Sequence, residues 1–300
     1  LMIRLKILPL FLSAILVFFV GCDIVVEGEQ EAQPTSSPEI EILPYPVIIN
    51  DVVIDSQPRS IVSLSPALTE IVFELGAGER LIGLCSYCDF PRDTALIPDV
   101  GGSARPDIDR IIELKPDLLL TSTPIAPNHL FAMEQHGIKT LLIGAPNDLE
   151  EFKRIYEGLG LVLEGLFTGA QLGEEQFSVI LKACQNADVV NIGKFIYITE
   201  DFKIAANGTL EHAVFSCFGE NAAQGLEGYV TAGELLELNP DIILLNNKYT
   251  VNDLSDNELF SSLRAVEDKN LIYIENIYFE RPTSRIVTLI EKMISDFKRS

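Results

Sequence analysis

The chain has 300 residues, 47% of them hydrophobic, and its 44 Asp and Glu against 22 Lys and Arg leave a formal charge of −22. That length suits about two domains with sizeable cores, and the composition excludes a disordered or collagen-like polymer. The acidic balance repels phosphate backbones and anionic headgroups, which argues against a nucleic-acid partner. There is no Trp, so 16 Phe and 8 Tyr must supply any aromatic surface that function requires.

Arg4 and Lys6 precede an apolar run over 7–20, the length of a signal-peptide core and short for a membrane-spanning helix. The run ends in Phe19-Val20-Gly21-Cys22, and a small residue ahead of Cys resembles a bacterial lipobox. Residues 1–21 therefore read as a lipoprotein-type signal peptide and Cys22 as the acylated first residue of the mature chain, its acyl chains anchoring it in a bilayer. Residues 22–44 are acidic and rich in Pro, Ser, Gln and Thr, too poor in core formers to repay their ordering entropy, and read as a flexible tether.

From residue 45 the pattern becomes that of a folded body. Residues 45–57 predict a hairpin around Asn50-Asp51, and 59–64 a buried strand. A helix over 66–75 follows, stopped by Gly76 and Gly78. Then come a strand over 81–84, a helix over 107–114, a strand over 117–121, a helix over 127–136 and a strand over 139–143. This βα alternation predicts a mostly parallel sheet, in an N-terminal lobe over 45–147.

Residues 148–190 contain no strand-like run, but two blocks of helical periodicity, 148–166 and 172–187, interrupted at Thr168-Gly169. One long helix or two abutting ones would carry the chain across. A second βα series fills 191–300, with strands over 195–199, 242–246 and 271–275 and helices over 209–217, 231–238 and 283–297. Residues 111–120 (IIELKPDLLL) and 235–244 (LLELNPDIIL) are identical at five of ten positions. In both, Pro ends a helix and Asp opens a buried strand. The expected fold is thus α/β, two Rossmann-like lobes joined by a long interdomain helix, with a ligand cleft where the carboxyl ends of the two sheets face each other.

The motifs Arg59-Ser60-Ile61-Val62-Ser63-Leu64-Ser65-Pro66-Ala67-Leu68-Thr69-Glu70, Leu75-Gly76-Ala77-Gly78, Tyr87-Cys88-Asp89-Phe90-Pro91, Val100-Gly101-Gly102, Leu114-Lys115-Pro116-Asp117-Leu118 and Phe218-Gly219-Glu220-Asn221-Ala222 occur in that order. Together they resemble the helical-backbone class of periplasmic substrate-binding proteins, which serve ABC importers of cobalamin, iron-siderophores and haem. The Tyr-Cys-Asp-Phe-Pro segment is most similar to cobalamin-binding members. Where those tend to place a Trp a few residues after the Val100-Gly101 position, this chain has Ser103-Ala104-Arg105. The resemblance implies a non-enzymatic, monomeric receptor on the outer face of the cytoplasmic membrane, without cofactor, that hands a corrinoid, or alternatively a ferric siderophore or haem, to a permease.

Strand ends nominate the ligand contacts: Ser65, Tyr87, Asp89, Phe90 and Arg105 in the first lobe, Phe202, Asn247, Tyr249, Tyr278 and Arg281 in the second. A corrin is a flat macrocycle fringed with amides, so it calls for aromatic faces and scattered hydrogen-bonding groups. Arg105 would also suit a carboxylate-bearing ligand. The resemblance implies one acidic residue per lobe docking onto permease arginines. Glu70 stands at the matching position of the first lobe and Glu211 beside that of the second.

Other chemistries lack their residues. Cys85-x-x-Cys88 follows a strand, as in redox proteins, but Asp89-Phe90-Pro91 replaces the helix that would lower a thiol pKa. Cys85, Cys88, Cys184 and Cys217 admit three full pairings, among which the sequence does not choose. His129, His136 and His212 are dispersed, without metal-ligand spacing. There is no G-x-S-x-G elbow, Walker A loop or dinucleotide fingerprint. No catalytic or metal-ligating residue is nominated.

Overall fold

The computed structural model describes residues 43–230 and 238–298. The expected signal peptide, Cys22 and the tether through residue 42 lie outside the described residues, as does the expected helix over 231–238 except for its last residue.

The body opens on a hairpin of β1 (Val47–Ile49) and β2 (Val52–Ile54), with Val47 opposite Ile54. Its turn residues Asn50 and Asp51 both have positive φ, 48° and 65°, the backbone that a tight two-residue hairpin turn demands. The chain then alternates through β3 (Ile61–Ser63), α1 (Pro66–Glu74) and β4 (Leu81–Leu84) to the small hairpin of β5 (Gly101–Gly102) and β6 (Arg105–Pro106). It continues through α2 (Ile108–Leu114), β7 (Leu118–Thr121), α3 (Pro127–Gln135) and β8 (Lys139–Leu142). The four long strands form one parallel sheet in the order β4-β3-β7-β8. Its central strands are apolar on both faces because helices cover both, as parallel crossovers require.

The second lobe has its own sheet. β9 (Lys194–Ile198), β13 (Ile242–Asn246) and β14 (Leu271–Ile274) run parallel, and β10 (Ile204–Ala205) and β12 (Tyr229–Val230) extend the sheet antiparallel. β11 (Glu220–Asn221) pairs with the start of β9. The helices of this lobe are α5 (Leu210–Phe215), α6 (Val251–Ser255), α7 (Arg264–Glu267), α8 (Ile277–Glu280) and α9 (Arg285–Phe297). The internal sequence similarity has a structural counterpart. Asp117, just before β7, accepts from the backbone N–H groups of Arg59 and Ser60 ahead of β3, at 2.8 and 3.0 Å. Asp241, just before β13, accepts likewise from Lys194 N–H at the start of β9, at 2.9 Å. In each lobe the same residue pins the start of one strand to that of its parallel neighbour.

The helical segment α4 (Leu149–Ala187) joins the lobes, but it folds back on itself. Gly165 leaves the helical region at φ 76°, ψ −176°, a backbone reserved for glycine, and Leu166 N–H donates to Pro44 C=O at 2.9 Å. The limb 149–164 and the limb 166–187 then run antiparallel: the Phe152 and Phe177 rings lie 5.4 Å apart edge to face, and Lys153 is 3.6 Å from Glu174. The two backbones approach so closely that a Cβ added to Gly160 would lie 2.1 Å from Gly169 C=O. The sequence reading placed the interruption at Thr168-Gly169. The turn is instead at Gly165, and Gly169 serves the close approach. The second limb, at 1.5 Å per residue, spans about 33 Å and carries the chain to the second lobe. α9 packs along α4 through Ile286, Leu289, Ile290 and Met293, which are buried. Among the described residues no helix is long and apolar enough to cross a membrane.

Candidate ligand-binding site

The carboxyl ends of the parallel strands place the loops where an α/β protein offers a site. In the first lobe, β4 delivers the segment Cys85–Phe90. Cys88 N–H donates to Cys85 C=O at 2.9 Å, which closes a turn with Ser86 and Tyr87 at its corners. Tyr87 is held out at 62% exposure beside the β5–β6 hairpin, and Phe90 is 47% exposed. In the second lobe, the ends of β9, β13 and β14 deliver 199–203, 247–250 and 275–281.

These two sets of loops meet. Arg281 forms an ion pair with Asp89, and the Arg285 guanidinium lies 4.1 Å from the centre of the Phe90 ring, a cation–π contact. Deeper, the Glu70 carboxylate on α1 lies 2.8 Å from Arg285 Nε and accepts from Thr283 Oγ1 at 3.1 Å. Glu74 accepts from Ser284 Oγ at 2.7 Å and from the Tyr156 hydroxyl at 2.5 Å, tying α1, α4 and the start of α9 together. Glu70 and Glu74 of α1, Tyr156 of α4, and Thr283, Ser284 and Arg285 thus build a polar floor beneath the exposed aromatics. Burial pushes the Glu70 carboxyl above its ordinary range, although Arg285 and Thr283 pull the other way. Its second oxygen, Oε1, has no hydrogen-bond partner among the described residues.

The second lobe adds a concavity of ≈ 200 Å³ lined by Tyr197, Thr199, Glu200, Asp201, Lys203, Glu211, Tyr229, Asn276, Phe279 and Glu280. Asn246, fully buried at the end of β13, donates to Asn276 Oδ1 at 2.8 Å and accepts from Lys248 N–H at 2.9 Å, which fixes the loop that follows. Tyr249 stacks on Phe202 with ring centres 3.9 Å apart, and its hydroxyl donates to Glu200 C=O. Phe202 adopts φ 55°, which turns the chain back into β10.

The nominated residues therefore divide. Tyr87, Asp89, Phe90 and Arg281 come together where the lobes meet. Phe202 and Tyr249 form one half-buried aromatic unit in the second lobe, with exposed Asn247 beside it. Arg105 is exposed on β6. Three groups sit otherwise than expected. Ser65 is 1% exposed and caps α1, accepting from Leu68 N–H, so it turns into the fold rather than toward a ligand. Tyr278 is largely buried in the short helix α8 and packs into the core. Glu70 and Glu211, expected to offer charges outward to a permease, are both buried. Glu70 is engaged by Arg285, and Glu211 accepts from the Tyr229 hydroxyl at 3.1 Å, with burial pushing its carboxyl upward. Each lies on the face of a short helix that packs against the body, which helical position alone does not reveal.

Sequence reasoning missed Arg285, Tyr229 and Asn276. Arg285 carried a signal, since it lies one helical turn beyond Arg281 at the start of a strongly amphipathic helix. Tyr229 and Asn276 had none, being brought to the site by an edge strand and by a one-turn helix. The thiols of Cys85 and Cys88 are buried and 2.9 Å apart. Their mutual hydrogen bond lowers Cys85 and, with burial, raises Cys88 well above the ordinary thiol range. Among the described residues no group of three or more His, Cys, Asp and Glu could hold a metal ion.

Known proteins share this architecture. The family profile described as "Periplasmic binding protein" matches residues 61–278. The ABC transporter substrate-binding lipoprotein YvrC of Bacillus subtilis is 23% identical over 311 residues, covering 92% of each chain. The vitamin B12-binding protein of Vibrio campbellii is 25% identical over 263 residues, covering 84% of this chain and 94% of its own. Among solved structures, the periplasmic vitamin B12-binding protein BtuF of Vibrio cholerae superposes with a TM-score of 0.61 at 23% identity, covering 80% of this chain and 97% of its own. The apo haem-binding protein RhuT of Roseiflexus sp. RS-1 gives 0.63 at 20% identity, covering 80% and 97%. With the two-lobed α/β fold and its facing loops, these likenesses establish that the chain belongs to the periplasmic binding protein family, the extracytoplasmic substrate-binding proteins of ABC importers.

Proposed function

We propose that this protein is a lipid-anchored receptor, acylated at Cys22, that captures a corrinoid and delivers it to an ABC permease without catalysing a reaction. The observation that carries the ligand reading is the pair of exposed aromatic side chains, Tyr87 and Phe90, at the meeting of the two lobes. Exposed aromatic side chains beside a cleft offer stacking surface to a flat macrocycle. The B12-binding relatives of Vibrio align with this chain over 88–94% of their own length, which supports a corrin over other macrocycles. The polar floor from Glu70 to Arg285 would hold the lobes at a nearly fixed angle, so capture would proceed with little closure. The buried thiols of Cys85 and Cys88 disfavour the rival reading of an exported redox enzyme, because a catalytic dithiol must reach its substrate.

Haem or a ferric siderophore remains the second reading, favoured by the fold's equal likeness to haem-binding proteins and by exposed Arg105. Titration of the full chain with hydroxocobalamin, haemin and a ferric hydroxamate, followed by visible absorbance and thermal shift, separates the readings. At 100-fold excess over Kd a true ligand stabilises the fold by about 2.7 kcal/mol. Stabilisation by hydroxocobalamin alone is expected. Stabilisation by haemin or the siderophore in its place overturns the corrinoid assignment, and turnover or dithiol exchange in place of binding overturns the receptor reading.

A further inference from the structure

Besides Cys22 the chain has four cysteines, and the fold sorts them into two neighbouring pairs. Cys85 and Cys88 stand at the two ends of the turn that presents Tyr87, with their sulfurs 2.9 Å apart, inside the contact distance of unbonded sulfur atoms. Cys184 lies in the last turns of α4, buried where α4 packs on α5, and Cys217 in the turn after α5, where its thiol donates to Ala213 C=O at 3.8 Å; the two thiols are near enough that each shifts the other's pKa, Cys184 downward and Cys217 upward. Either alternative pairing would have to draw Cys85 and Cys88 away from the sulfur that each already touches. The family places the protein outside the cytoplasm, where disulfides form and persist.

We infer that the exported chain carries two intramolecular disulfides, Cys85–Cys88 and Cys184–Cys217, formed by exchange with an oxidised dithiol oxidase or a small-molecule disulfide. In each exchange one cysteine thiolate attacks a sulfur of the oxidant, forming a mixed disulfide and expelling one oxidant thiolate. The second cysteine thiolate then displaces the remaining oxidant sulfur. One protein S–S bond forms and one oxidant S–S bond breaks. Two electrons pass to the oxidant, and the two thiol protons end on its two released thiols. Exchange takes place as the chain folds, before the sulfurs are buried, and burial afterwards shields both bonds from reductant. The first bond closes the Tyr87 turn covalently and so pre-organises the exposed ring. The second staples the second limb of α4 to the lobe that it supports.

The test is peptide mapping of the full chain, purified from the cell envelope without reductant and with N-ethylmaleimide present from lysis onward. Trypsin should release a peptide 81–92 lighter by two hydrogens and free of maleimide, and peptides 183–194 and 204–248 joined to each other. Alkylation of all four cysteines without prior reduction overturns the inference, and so does any link between 81–92 and either of the other peptides. In a Cys217→Ser variant, Cys184 should become alkylated in denaturant while 81–92 stays oxidised. A Cys184 that remains blocked there has another partner and overturns the second pair. The outcome is independent of which ligand the receptor takes.

Discussion

Replacing Arg285 by Met tests the polar floor most sharply. Glu70 is 2% exposed and its carboxylate lies 2.8 Å from Arg285 Nε and accepts from Thr283 Oγ1. At that distance the attraction is about 6 kcal/mol for an effective dielectric near 20, an upper bound because the Arg285 side chain is 23% exposed and partly screened. Removing one partner of a buried pair leaves the other charge uncompensated, and about 3 kcal/mol of stability should be lost at pH 8. The pH dependence has a definite sign. Burial already raises the Glu70 carboxyl above its unfolded value, so the folded state holds its proton more tightly and stability declines as pH rises through the folded pKa. Without Arg285 that pKa climbs further, which extends the decline to higher pH. The charge-dependent part of the loss should therefore shrink as pH falls, and disappear below the unfolded Glu value of about 4.3, where the carboxyl becomes neutral in both states. The cation–π contact to Phe90 is lost as well, but that loss is independent of pH. Urea unfolding followed by far-UV circular dichroism at pH 5 and pH 8 measures the difference, and Glu70→Gln in the variant background should restore most of it at pH 8. A loss below about 1 kcal/mol at pH 8, or one equal at both pH values, refutes the reasoning.

Two further outcomes follow from the same geometry. Gly169→Ala should destabilise by about 2 kcal/mol, because the new Cβ would lie 2.2 Å from Gly160 C=O and the two limbs of α4 must separate, whereas Gly158→Ala, whose Cβ meets nothing closer than 3.8 Å, should stabilise by about 0.5–1 kcal/mol. Urea midpoints of the two variants check this, and equal effects would mean that the limbs are not packed backbone to backbone. Tyr87→Ala should weaken hydroxocobalamin binding about tenfold, about 1.4 kcal/mol, with stability changed by less than about 0.5 kcal/mol because the ring is mostly exposed. Isothermal titration paired with a melting curve reads both, and a large fall in melting temperature would make the ring a packing element.

What the sequence by itself determined is what local pattern encodes. Period-two and period-3.6 hydrophobicity, with Gly and Pro at their ends, marks β3, α1, β4, α2, β7, α3 and β8 almost residue by residue. The Pro-Asp pair before β7 and β13 marks the repeated lobe, since the carboxylate pins strands that are far apart in sequence but adjacent in the sheet. The turn of β4 into Tyr87, Asp89 and Phe90 was legible for the same reason, being local. Tertiary structure decided everything that depends on which face of an element is covered. Glu70 and Glu211 read as outward-facing docking charges, yet Arg285 and Tyr229, distant in sequence, meet them inside the fold. Tyr278 has a side chain as suited to a ligand as Tyr87 and is instead enclosed, because α8 is one turn long and packs inward. The fold-back of α4 at Gly165 rests on the approach of Pro44, more than a hundred residues earlier in the chain. Pairing of the four thiols belongs to the same class, for cysteine spacing carries no information about distance until the backbone has closed its loops.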